Sequence, residues 1–180
     1  MATTRLRLIA PPLDVRQEMK AREIYKDCLA ARDLLQDAID KKNTPQAKII
    51  WFASVAMLRA VGHVLKNVDS KSRGEDFEHR LGVKFKEWKE DPIFRDFIEK
   101  ERNSILKEYD STFEILEKKE KCTLITNDGY KLVTSDGHTL VTSSSVTEFI
   151  KGSGRCAGES PVHNLSEALE WWDSQLKDLE

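Results

Sequence analysis

Arg102 occupies a position where a leucine would be expected. It lies in a run from Pro92 to Lys119 whose spacing predicts one long helix. At about 100° per residue, Phe94, Ile98, Ile105, Leu106, Tyr109, Phe113 and Leu116 share one apolar arc, and Arg102 falls inside it. Tyr109, seven residues on, projects within roughly 20° of Arg102. Asn103 and Lys107, spaced i, i+4, flank the same arc. These groups suit phosphate chemistry: arginine offers a bidentate fork to an oxyanion, lysine adds a point charge, and tyrosine hydrogen-bonds or stacks on a base. A cation in a stripe meant for burial is costly unless it is paired or lines a cleft. Three placements meet that cost. Arg102 converges with its neighbours on a phosphate, pairs with a buried carboxylate from an earlier helix, or faces a partner chain.

A second basic group sits at Arg59, His63 and Lys66, at i, i+4, i+7 on a predicted helix. In one reading Arg59 and His63 bind substrate, and His63 supplies an imidazole to the Arg102 cleft. In the other they are a solvated stripe, with Gly62 allowing close helix packing. His79, His138 and His163 read as surface residues. Cys28, Cys122 and Cys156 are odd in number and widely spaced, with no CxxC and no zinc-type Cys/His cluster. No metal and no cofactor is expected, and reduced thiols suit a cytoplasmic protein. There is no nucleophile elbow and no P-loop. Gly152–Arg155 reads as linker, and Trp171-Trp172 as the docking face of a terminal helix.

The elements that must position these groups are mostly helical. The 180 residues are 39% hydrophobic and 33% charged, with net charge −2, which argues against a general nucleic-acid coat but leaves room for a local basic cleft. Residues 1–13 read as an N-terminal arm without the apolar core of a signal peptide. No apolar run approaches the ~20 residues of a membrane span. Asp14 is placed to cap a first helix to about Lys42, with Val15, Met19, Cys28, Leu35, Ala38 and Ile39 on its apolar side. Thr44-Pro45 reads as an N-cap followed by proline, opening a helix to about Val68. A polar loop follows, then a weaker helix from Phe77 to Lys89, broken or bent near Gly82. Asp91-Pro92 repeats the cap-and-proline device and opens the Arg102 helix.

After Lys121 an eight-residue repeat begins at Leu124, Leu132 and Leu140. Its Asp128-Gly129 and Asp136-Gly137 pairs predict hairpin turns, and three short antiparallel strands. A glycine- and serine-rich loop spans 151–163. Asn164 and Glu167 read as a capping box opening a C-terminal helix over 164–180. The expected architecture is mainly α: an antiparallel helical bundle over 14–120, a small antiparallel β-meander or hairpin appendage over 121–150, and a C-terminal helix docked on the bundle.

The segment Arg102-Asn103-Ser104-Ile105-Leu106-Lys107-Glu108-Tyr109 resembles the motif of HEPN domains. Arg102 matches the family's arginine, Asn103 the polar residue after it, and Tyr109 the tyrosine of one toxin branch. Lys107 stands where the family has histidine. The resemblance covers roughly residues 14–119 and implies a helical, bacterial, homodimeric protein in which Arg102, Lys107 and Tyr109 would be catalytic. It implies metal-independent RNA cleavage of a toxin or defence type, weakened because a lysine ordinarily titrates near ~10.4 and makes a poor general base. Asn103, Arg59 and His63 would bind the RNA or nucleotide phosphate. Two other readings follow. One is a non-catalytic interaction module built on a degenerate HEPN scaffold. The other is nucleotide transfer onto Tyr109 by a partner nucleotidyltransferase of a toxin–antitoxin pair.

Overall fold

The computed structural model describes residues 18–180, and their side chains except at 117–120 and 144–146. The expected arm over 1–13 and the cap and apolar position at Asp14 and Val15 lie outside the described residues. The chain is mainly helical, with a two-stranded antiparallel ribbon and a C-terminal helix.

Helix α1 runs Lys20–Asp40 and buries Cys28, Leu35 and Ala38. Its first amides are capped from far along the chain. The Asp69 carboxylate accepts from Lys20 N at 2.8 Å and from Ala21 N at 3.0 Å. An anion at a helix N-terminus answers both the unpaired amides and the dipole. Helix α2, Thr44–Val64, opens with Asn43 as N-cap, one residue before the expected Thr44, and Pro45 in its first turn. It continues through a π-helical turn, Leu65–Asp69, into the short α3, Ser70–Arg73. The stretch expected as polar loop is therefore helical as far as Gly74, whose φ of +89° breaks it. The widened turn carries Asp69 inward to cap α1. By length and composition alone the 44–73 helix could cross a membrane. Here Trp51, Val55, Leu58, Val61 and Leu65 are buried in the core cluster shared with α1 and α6.

Helix α4, Glu75–Glu90, runs through Gly82 without interruption. Asp91 closes the join: Oδ1 accepts from Ile93 N at 2.8 Å and Oδ2 from Trp171 Nε1 at 2.9 Å. A π-helical segment, Ile93–Glu99, leads into α5, Lys100–Glu108. The expected helix to Lys119 stops there. Tyr109 is left-handed at φ +51°, and Phe113–Thr123 forms strand β1. The physical reason is Glu101. Its buried carboxylate accepts from Thr112 N at 3.2 Å, from Thr112 Oγ1 at 2.8 Å and from Ser111 Oγ at 3.3 Å. These bonds turn the chain back on α5.

Strand β1 pairs with β2, Val141–Lys151, from Phe113↔Lys151 to Thr123↔Val141. Between them the repeat does not make three strands. It closes a ring of backbone bonds: Leu124 N to Leu140 O, Leu132 N to Leu124 O and Leu140 N to Leu132 O, at 2.9–3.0 Å. Two tight hairpins leave the ring at Asp128-Gly129 and Asp136-Gly137, each with one bridge, Ile125↔Lys131 and Val133↔Thr139. Gly129 and Gly137 adopt φ of +84° and +86°, as such turns require.

Helix α6, Pro161–Leu179, starts earlier than expected, with Ser160 as N-cap accepting from Val162 N. Asn164 is buried inside the helix and caps nothing. Trp171 and Trp172 dock as expected, in an aromatic cluster with Trp88 and Phe94 at centroid distances of 4.8–6.2 Å.

Lys151 Nζ lies 3.7 Å from Glu101 Oε2, and both side chains are 2–3% exposed. Removing one member of such a pair strands the other in the core. Glu101→Ala is expected to lower unfolding free energy by about 3 kcal/mol in urea titration. The double variant Glu101→Gln, Lys151→Met should recover part of that loss.

Candidate functional site

Arg102 projects half-buried from α5. Its Nη1 donates to Asn103 Oδ1 at 2.8 Å, and no carboxylate among the described residues pairs with it. Of the three placements open to it, intrachain neutralisation is absent from the described residues. Arg59 and His63, on α2, share its electrostatic surroundings. Burial lowers the Arg59 guanidinium from its ordinary value; Glu99 works against this and Arg102 adds to it. His63 is pulled below its ordinary 6.5 by desolvation first, then by the positive charges of Arg59, Arg102 and Lys66. The face between α2 and α5 therefore concentrates positive charge around an imidazole held towards its neutral form.

Arg59 is held in place by its surroundings. The guanidinium lies 5.2 Å from the Phe94 ring centroid, and Nη2 is 3.8 Å from Glu99 Oε1. Its Nη1 is buried without a hydrogen-bond partner among the described residues. Arg59 and His63 also line a groove of about 840 Å³ running over α2, α3 and α4. Five fixed cations border it, Arg59, Lys66, Lys71, Lys86 and Lys89, against the carboxylates Glu78 and Glu99. The sequence pattern exposed Lys66 on the Arg59 face. Lys71, Lys86 and Lys89 were missed because they lie in the expected loop or on another helix, and only the fold brings them to one rim. Gly82 lines the groove, with no heavy atom within 4 Å of where a Cβ would stand.

The other expected site residues lie elsewhere. Lys107 is about 140° round the helix from Arg102. With Asn103 it lines a different cavity, of about 550 Å³, that also takes in Lys100, Glu101, Thr112 and Lys151. Asn103 touches both sides, since its amide oxygen holds Arg102. Tyr109 does not continue the Arg102 arc, because the left-handed turn throws it outward to 75% exposure. Its ring meets Phe52 edge-on at 5.5 Å, and Lys48 Nζ lies 5.4 Å from both centroids.

Arg59 and His63 line the groove, and Arg102 adds positive charge to their surroundings from α5 without lining it. Because folding depresses His63, the unfolded chain takes up that proton more readily. The imidazole's effect on stability therefore worsens as pH falls through about 6.5. NMR titration of the His63 ring should give a midpoint below 6.5, and Arg102→Ala should move it upward.

No protein family, curated protein or solved structure matches the chain.

Proposed function

We propose that this chain is a HEPN-like protein that binds the phosphate of RNA or a nucleotide on its α2–α5 face and acts as a homodimer. The observation carrying this reading is the concentration of Arg59, His63 and Arg102 on one face, with Arg102 free of a carboxylate partner among the described residues. Positive charge left unneutralised beside a groove favours an anionic ligand. Leu106 and Ile49, exposed on the same two helices, suit a surface that pairs with a second copy.

Within this reading the cleavage roles shift from those the motif implies. Lys107 faces the other cavity, whereas His63 is the imidazole on the Arg102 side. Arg102 would steady charge developing on the phosphate, and neutral His63 would accept the 2′-hydroxyl proton. Tyr109 stands exposed at the edge of the face, where it can stack a base or receive a nucleotidyl group from a partner enzyme.

The ribbon supports a second, non-catalytic reading as a protein-interaction module. Ile125, Val133 and Val141, at equivalent repeat positions, are 63%, 56% and 53% exposed. That apolar tip suits a partner protein rather than a nucleic acid.

A labelled single-stranded RNA followed by fluorescence anisotropy separates the two. Under the first reading it binds with strong salt dependence, and Arg102→Ala and Arg59→Ala each weaken it about tenfold, the size of a lost charged hydrogen bond. Gel analysis should show slow cleavage that His63→Ala abolishes and Lys107→Ala leaves. RNA that neither binds nor is cut, with sedimentation showing monomer, would leave the interaction reading.

A further inference from the structure

Three side chains of metal-binding type converge where the loop after β2 enters α6. The donor atoms of Cys156, Glu159 and Glu167 all lie within 4.8 Å of one another. Cys156 Sγ is 3.4 Å from Glu167 Oε2, and His163 Nε2 is 3.6 Å from Glu159 Oε2. Glu159 lies just before the N-cap of α6, and His163 and Glu167 follow on its first turns at i, i+4. Cys156 reaches the same place from the loop, which is tied down by Lys151 N to Glu159 O at 2.9 Å and Gly158 N to Lys151 O at 2.6 Å.

Around zinc, with bonds of about 2.0–2.3 Å, tetrahedral ligand atoms sit roughly 3.3–3.8 Å from each other. The Cys156–Glu167 separation already falls in that range. We propose that Cys156, Glu159 and Glu167 form a binding site for one divalent transition-metal ion of the zinc class, with the fourth position left to water. The thiol selects against magnesium and calcium, which take oxygen ligands. The charges balance: a thiolate and two carboxylates carry three negative charges, the ion two positive, and Arg155, 3.9 Å from Glu167, supplies the third. Binding releases the thiol proton to solvent. The sequence shows no zinc pattern because only Glu167 of the three lies on the helix. The cysteine arrives through a turn in which its own φ is +62°. Such an ion would fasten the loop to α6 and, through Lys151, the root of the ribbon to the bundle. This site is independent of the phosphate-binding face.

The test uses the full chain, stripped with a chelator and titrated with cobalt(II). The expected result is a near-ultraviolet thiolate-to-cobalt absorption band that saturates at one ion per chain and is displaced by zinc. Cys156→Ser should lose the band while keeping its helical circular dichroism, and Cys122→Ser should keep it. Glu159→Gln and Glu167→Gln should each weaken binding tenfold or more. Zinc should raise the melting temperature of the wild type but not of Cys156→Ser. Absence of the band, its survival in Cys156→Ser, or its loss in Cys122→Ser overturns the proposal.

Discussion

The arrangement depends on one buried carboxylate. Glu101 has almost no contact with solvent, yet it collects donors from Ser111 and Thr112 and stands beside the Lys151 ammonium. The first set of contacts ends α5 and turns the chain into β1. The second fixes the last residue of β2. Both roots of the ribbon are thus gathered at one anion. A charge this buried is tolerable only when hydrogen bonds and a countercharge surround it. Lys151 meets the same demand from the other side. Burial pulls its amine below the ordinary value, Glu101 opposes that pull, and Nζ also donates to Arg155 O at 2.8 Å.

Ending α5 at Glu108 reorganises the face that Arg102 belongs to. Phe113 would lie on the Arg102 arc in a continuous helix. Instead it packs against Trp51 and Phe149, at centroid distances of 6.2 and 5.7 Å. Tyr109, at the reversal, leans on Phe52 rather than on its own helix. Arg102 is left with α2 as its neighbour, and α2 contributes more positive charge. Nearby Arg59 is kept in place by the Phe94 ring and by the Glu99 carboxylate at 3.8 Å. The chain's net charge of −2 hides this concentration, because acidic residues are distributed elsewhere. Local field, not total charge, decides which ligand approaches such a surface.

Much of the helical order could be read from local chemistry. The join at Asn43–Pro45 and the Asp91-Pro92 cap follow from side chains that bond amides within a few residues. Trp171 and Trp172 on one side of the last helix imply a docked helix, and they are buried. What failed to show depends on distant partners. The glutamates and lysines of Phe113–Thr123 suit a helix as well as a strand, and only pairing with Val141–Lys151 decides between them. Asp69 caps α1 across 48 residues or more, through a π-turn that has no sequence period of its own. Gly82 does not interrupt α4, since a glycine weakens a helix without necessarily breaking it. The Arg102 cluster was legible in part: its cation stood out, and His63 was a candidate, but the divergence of Lys107 and Tyr109 required the actual end of α5.

The eight-residue repeat makes sense as the counterpart of the Glu101 clamp. A two-stranded ribbon alone is marginal in water, because neither face has a second layer to cover it. This ribbon is closed at both ends. At its root, Glu101 and Lys151 hold the strands to the bundle. At its tip, three leucines eight residues apart exchange backbone hydrogen bonds in a cycle, so the connection ends without free strand edges inside the ring. The equivalence extends to the side chains: Leu124, Leu132 and Leu140 are 40%, 38% and 41% exposed. A repeat too short to stack as a solenoid can still close on itself when its third unit is the strand returning to the base. The price of that closure is an apolar tip that the fold itself does not bury.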